Sequence, residues 1–328
     1  MKKGKLIWAT GVSHCGGTGY LKEKFLPLCE KKRKKVKIIY PGEMLFDAPG
    51  IALEKDNVLN APEDHLSVKM KWVFERIKGE VDATLEDFDA IIIKGHKIFR
   101  WNRSFIFAHA PEYALMFRPD MMFTFVDGVV PILERLGKGS RFDGQGYTKR
   151  DICDWQQLEV DGTKEWADTI HSPHFVIPST ETPELLYQLI FDEEPELVYV
   201  AIDITHSPEL KGQVDRFVAG LRKYFPALIN PYTVPFDYSE RDPAEERHVV
   251  NMCLNWFVPQ SKIAVGYYPV VGASQGKPHE LGKAFIMTKH VWVVYIPKET
   301  NLFVESFKTR PVFRTEKEFF EFLKNRKK

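Results

Sequence analysis

Short apolar runs of strand length alternate along the chain with longer stretches of helical periodicity. KLIWAT, VKIIY, AIIIKG, MMFTFV and HFVIP come first, and VYVAI, KIAVGYY and VWVVYI come after a break. Near-continuous apolar strands are buried on both faces, which is the pattern of parallel sheets covered by helices. The break lies within 178–196. There Thr182 opens a helix with Pro183 in its first turn and Glu184 after it, a sound helix start. That helix is expected to close a first domain, with DEEPE as the linker, so the expected domains are 1–192 and 193–328. Beyond it the spacing predicts a strand over 197–202, helices near 209–224 and 243–257, and a strand over 262–268. A helix near 278–288, a strand over 290–296 and an amphipathic tail helix over 315–326 complete the series. The fold class is therefore α/β, with two parallel-sheet domains.

A chain of 328 residues has room for two cores. Its 46 Lys and Arg nearly balance 45 Asp and Glu, so charge argues for neither nucleic acid nor membrane as partner and leaves small polar ligands open. No apolar run approaches the roughly 20 residues of a membrane span, and MKKGKLIWAT is too short for a secretion signal, so a cytoplasmic protein is expected. Cys15, Cys29, Cys153 and Cys253 form no close pair, which points to reduced packing residues rather than a zinc site. The run KKRKK at 31–35 falls where a first helix ends, and cations suit the negative end of a helix dipole. Its other reading, a landing patch for nucleic acid, is disfavoured by the balanced charge.

The first candidate site is TGVSHCGGTGYL, residues 10–21. From Gly11 the spacing matches the phosphate-loop pattern G-x-x-x-x-G-K-[ST], with Gly16 in place, Gly17 where lysine belongs, and Thr18 able to hold Mg²⁺. A strand precedes it and a helical pattern comes after it. Small residues there let backbone N–H groups converge on phosphate at a helix N-terminus. AIIIKGHKIFRWNR then reads as a buried strand with polar residues at its carboxyl end, and such ends face ligand crevices in these folds. His14 and His96 are each either a phosphate or base contact or a structural loop histidine. Trp101 and Arg103 either border an acceptor or pack. KGSRFDGQGYTKRD offers Lys138, Arg141, Lys149 and Arg150 as a cationic lid.

Residues 1 to about 192 resemble the archaeal adenylate kinase family and its kinase-like relatives in the GVSHCGGT loop, Gly95-His96, the RPD before the next strand, and Lys149-Arg150-Asp151. The resemblance implies a phosphate-loop domain like those of nucleoside monophosphate kinases, with ATP or another nucleotide and Mg²⁺ as ligands. Lysine-free loops occur in that family. Its members carry Asp in the strand end where this chain has Lys94, so Lys94 either reaches the phosphates in place of the lost lysine or is a solvated strand-end cation.

In the second half a strand leads to Ala273-Ser274-Gln275-Gly276, and then to a helix with His279-Glu280-Leu281-Gly282 in its first turn. Serine and glycine before a helix make an anion pocket, with a carboxylate one turn away. An exposed Glu in a first turn also suits the helix dipole without any further role. The stretch over residues 197 to about 297 resembles nucleoside 2-deoxyribosyltransferases and deoxynucleoside 5′-monophosphate N-glycosidases, which implies a flavodoxin-like domain. By motif position the resemblance makes Glu280 the nucleophile and Ser274 and Gly276 the holders of a 5′-phosphate or hydroxyl. It also implies a homodimer. The general acid of those relatives has no clear counterpart, since Asn251 and Asn255 lie near its place; Asp203, Asp237 and Asp242 remain candidates.

The expected function is cleavage or exchange of an N-glycosidic bond on a nucleoside or its monophosphate through Glu280. The first domain is expected to bind a nucleotide and to act as a kinase on it. A nucleotide-sensing regulator with silent sites is the alternative.

Overall fold

The computed structural model describes residues 4–326 except 51–52, 54–57, 59, 102, 109–111, 139–141, 143–144, 203–207, 237–241, 272–275, 300 and 302–305. It forms two α/β units, Met1–Thr180 and Glu181–Lys328. The boundary expected at 192 thus falls inside the second unit. Glu181 explains this: its carboxylate accepts from Asn230 N at 2.7 Å, Thr233 Oγ1 at 3.3 Å and Arg222 Nη2 at 2.6 Å. These bonds tie the start of the helix Pro183–Phe191 to the rest of the second unit.

The first unit is built on strands β1 (Lys5–Gly11), β2 (Val36–Ile39), β3 (Ala90–Lys94), β6 (Met121–Val126) and β7 (His174–Pro178), ordered β2-β3-β1-β6-β7. Every pairing is parallel, with Ala9 opposite Lys94 and Gly11 opposite Phe125. Strand alternation sends Trp8 to one face, where it meets Phe74 of the helix Glu63–Thr84 at 5.6 Å and Trp166 of the helix Lys149–Ile170 at 5.7 Å. Thr10 shares that face with Trp8, bonding Thr163 Oγ1 at 2.8 Å and Thr124 Oγ1 at 3.0 Å. Phe125 meets Tyr20, on the helix after the glycine loop, at 5.4 Å. That helix, 17–31, carries a π-helical segment over Tyr20–Phe25.

Two elements differ from expectation. IFRWNRSFIF is a hairpin, β4 (Ile98–Trp101) paired antiparallel with β5 (Ser104–Phe107), turned at Arg103 with φ 62°. The lid stretch KRD is the start of the 22-residue helix Lys149–Ile170, whose N-terminus is a capping box between Thr148 and Asp151.

The second unit orders its strands β11-β10-β8-β9, all parallel: β8 (Val198–Ala201), β9 (Leu228–Ile229), β10 (Ile263–Tyr268) and β11 (His290–Tyr295). Tyr267 stacks on Phe217 of the helix Lys211–Arg222 at 3.9 Å, within a core that includes Val198, Val200, Trp292 and Phe319. Tyr199, between the two valines, points to the opposite face, as strand period two requires. Helices 243–260 and Gly276–Ile286 belong to this unit, and Leu281 packs so close to β10 that a Cβ on Gly266 would lie 2.6 Å from its Cδ1. Among the described residues no helix is long and apolar enough to cross a membrane.

His248 offers a test of this packing. Its imidazole lies buried against Trp256, and burial lowers its pKa from 6.5 to about 4. The unfolded chain therefore binds the extra proton below 6.5 and the folded chain only near 4, so stability falls as pH drops through that window, by up to about 3 kcal/mol. Protection factors of second-unit amides, taken relative to the intrinsic exchange rate at each pH, should fall as pH drops across the window in the wild type and much less in His248→Gln; equal responses would mean that His248 does not set the pH dependence.

Candidate functional site

The glycine loop departs from regular backbone at three places. Gly11, His14 and Gly16 hold φ of 143°, 62° and 84°, so the turn between β1 and the helix uses glycine where L-residues are strained and tolerates the cost at His14. Gly17 comes next, in helical geometry, and is buried. A Cβ there would lie 2.9 Å from the Phe125 ring carbons Cδ2 and Cγ. The lysine of the loop pattern is excluded because an aromatic ring of the neighbouring strand occupies its root. At Gly16 a Cβ would stand 2.8 Å from Ser179 Oγ, so the loop is close-fitted on two sides.

A buried carboxylate holds the loop in place. Glu159, fully buried on the helix Lys149–Ile170, accepts from Gly11 N at 2.9 Å, Lys97 N at 2.8 Å and Ile98 N at 2.7 Å. His96 Nδ1–H donates to Gly11 O at 2.6 Å, so Gly11 is fixed through both backbone groups. Burial raises the Glu159 pKa above the ordinary carboxylate range, while the three amides and Lys94 pull it down.

Lys94 is not a solvated strand-end cation: it is 7% exposed, with Nζ donating to Gly95 O at 3.0 Å. Burial lowers its pKa, against which Cys15 and Glu159 act as nearby partners. Cys15, expected only to pack, is buried within the loop; burial raises its pKa, opposed by Lys94 and the Gly17 amide. On the other side of β1, Asp127 is buried and accepts from Gly128 N at 2.8 Å and from Arg135.

The remaining first-unit candidates are more dispersed. Thr18 is exposed at the helix start. His14 is exposed and meets Phe142 edge-on at 5.3 Å. Trp101 is buried and donates to Asn60 Oδ1 at 2.7 Å. Arg150 is exposed and lies 3.6 Å from Asp154 on its own helix, while Arg141 lies outside the described residues. Asp151, next to Arg150, pairs with Arg100 of β4 at 2.9 Å.

The donor set at the loop does not suit Mg²⁺, a cation that wants oxygen ligands in octahedral geometry. Thr18 offers a hydroxyl, but both oxygens of Glu159 take backbone amides, Asp127 is engaged by Arg135, and Lys94 brings a positive charge. Among the described residues no group of three or more His, Cys, Asp or Glu is arranged to hold a metal ion.

In the second unit Glu280 sits in the helix that starts at Gly276, within interaction range of Tyr199, Cys253 and Tyr268. Burial foremost, then the neighbouring Cys253 and Glu280, push the Tyr199 phenol well above its ordinary range. The Tyr268 phenol and the Cys253 thiol rise for the same reasons, burial first and Glu280 second. Both tyrosines and the cysteine therefore keep their protons at neutral pH beside the carboxylate. Lys277 is buried with Nζ 4.1 Å above the Tyr268 ring. Cys253 lies on a π-helical segment, Met252–Phe257, a kind of distortion common at functional sites. Of the candidate acids, Asp242 caps the helix Pro243–Asn251, accepting from Ala244 N at 2.8 Å and Glu245 N at 3.1 Å. Asp203, Asp237 and Ser274 lie outside the described residues, and Asn255 is exposed and donates to Asn251 Oδ1 at 2.6 Å.

No family model matches the chain, and no curated protein matches it. Among solved structures it is similar to a CMP N-glycosidase from Clostridium botulinum, at 16% identity over 39% of this chain and 98% of that one, with TM-score 0.28. It is similar to a thymidylate kinase from Candida albicans at 12% identity over 57% and 91%, TM-score 0.31. A GTPase from Pyrococcus abyssi gives 9% identity over 98% and 96%, TM-score 0.30. At such values the function has to be argued from the residues.

The contact between Gly17 and Phe125 is open to a double-mutant cycle. Gly17→Ala should destabilise by about 1–3 kcal/mol through overpacking and should cost much less in a Phe125→Leu background. Equal costs in both backgrounds, measured by denaturant unfolding, would show that the ring does not exclude a side chain at 17.

Proposed function

We propose that this is a nucleotide-metabolism enzyme whose second unit cleaves or exchanges the N-glycosidic bond of a deoxynucleoside or its 5′-monophosphate, and whose first unit binds a nucleotide such as ATP through the glycine loop. The observation that carries the reading is Glu280, a carboxylate near the start of a helix, set against a buried Tyr199, Tyr268 and Cys253. In such surroundings a carboxylate is held in one place with protonated neighbours around it, as a nucleophile toward an electron-poor carbon requires.

On this reading one Glu280 oxygen attacks the anomeric carbon as its bond to the base nitrogen breaks, giving a glycosyl ester and a base that takes a proton. Water then attacks the same carbon, losing a proton and releasing Glu280 as carboxylate; a second base in place of water gives exchange. The group that protonates the leaving base is sought at Asp203, Asp237 or Asp242, of which Asp242 already caps a helix with Oδ1. Ser274 and Gly276 are proposed to hold the 5′ group, and two copies of the chain to form a homodimer.

For the first unit the engaged carboxylates Glu159 and Asp127 and the excluded lysine favour nucleotide binding over phosphoryl transfer. The same observations support the second reading, a sensor in which nucleotide binding regulates and does not turn over.

A panel of deoxynucleosides and their 5′-monophosphates, with and without ATP, separates these. Release of free base that falls by about 10³-fold or more in Glu280→Gln supports the glycosidic reading. Base release unchanged in that variant removes Glu280 as nucleophile, and tight binding with no turnover of any substrate leaves the sensor.

A further inference from the structure

Lys94 is a buried cationic side chain at the loop whose presence neither β1 nor the glycine pattern explains. It ends β3, the strand paired with β1, directly opposite Ala9. Its side chain is withdrawn from solvent, and among the described residues its hydrogen-bond acceptor is Gly95 O at 3.0 Å. An ammonium carries three N–H donors, so two remain for a ligand. Cys15, the loop residue before Gly16, and Glu159, which holds Gly11, are its charge neighbours. Register and the bonds Gly95 N to Ala9 O at 2.9 Å and His96 to Gly11 O at 2.6 Å place this strand end beside the end of β1, where the loop begins.

Phosphate loops ordinarily neutralise the phosphate charge twice, with the loop lysine and with a magnesium ion positioned by a hydroxyl and a strand-end carboxylate. Here Phe125 fills the root of position 17, so no lysine can project from the loop. Among the described residues, two buried carboxylates at this end of the sheet are engaged, Glu159 by three backbone amides and Asp127 by Arg135 and Gly128 N. A divalent cation placed there would lack carboxylate ligands and would be repelled by Lys94. A phosphate meets a buried ammonium that gains a charge-assisted contact the protein does not otherwise supply.

Resting on the nucleotide-binding reading of the loop, we propose that Lys94 takes over both roles, so that this site binds the phosphates of a nucleotide without a divalent metal ion. The loop then recognises the phosphate chain of ATP or ADP through its amides and one buried ammonium, and magnesium in solution does not strengthen the complex.

Calorimetric titration of the full chain with ATP and with ADP, once with excess EDTA and once with magnesium chloride, tests this. The expected result is binding in EDTA that magnesium leaves unchanged or weakens, since a site that repels the metal gains nothing from it. Lys94→Met should lose about ten- to a hundredfold in both, and Lys94→Arg, which keeps the charge, should lose less. Affinity that rises more than about threefold with magnesium overturns the inference and leaves nucleotide binding intact. Absence of binding in either buffer overturns the loop reading itself and the inference with it. If Lys94→Met fails to fold, the wild-type comparison between the two buffers still decides, because it needs no variant.

Discussion

The first unit is organised around one expensive interaction, the buried carboxylate of Glu159. An ion removed from water is tolerated only when its lone pairs are filled, and here three backbone amides fill them, from the end of β1 and from the turn between β3 and β4. The carboxylate thereby joins three segments that are remote in sequence, and Gly11, where the loop begins, is held at a φ of 143°. His96 secures the carbonyl of the same residue. Lys94 balances the charge from beneath. Replacing Glu159 would free the three amides together, which is why loop, hairpin and strand end behave as one construction.

The second unit reaches a comparable arrangement by another route. Strand alternation on β8 gives Val198 and Val200 to the core and turns Tyr199 to the opposite face. There it meets Cys253 and Glu280, brought by two different helices. A deformed π-helical turn carries Cys253, and another lies just after the glycine loop of the first unit. In each unit a carboxylate is set among groups whose pKa burial moves, and the parallel sheet supplies the platform.

Much of this is legible in the sequence because it depends on local pattern. The apolar runs mark the strands, and in the second unit the predicted helices and strands fall within a few residues of those found. The loop is readable from its glycine spacing, and the helix that carries Glu280 from its periodicity. The features that escape such a reading depend on tertiary contact. IFRWNRSFIF reads as a strand running into polar residues, and only its pairing with itself makes it a hairpin. KRD reads as a lid because its cations stand out, whereas Thr148 and Asp151 make it a helix start. Glu159 lies in a helical stretch with other acids and nothing local marks it for burial. The meaning of Gly17 is likewise invisible without Phe125, which reaches it from another strand.

On this account the loop has kept its phosphate cradle and moved its positive charge from the loop to the strand end. A crystal structure of the full chain grown with ADP in the presence of EDTA addresses that directly. The phosphate chain is predicted to lie within the turn of residues 11–18, with Lys94 Nζ about 3 Å from a phosphate oxygen. A nucleotide bound elsewhere, or phosphates in the loop with Lys94 still turned to Gly95 O and out of their reach, would contradict it.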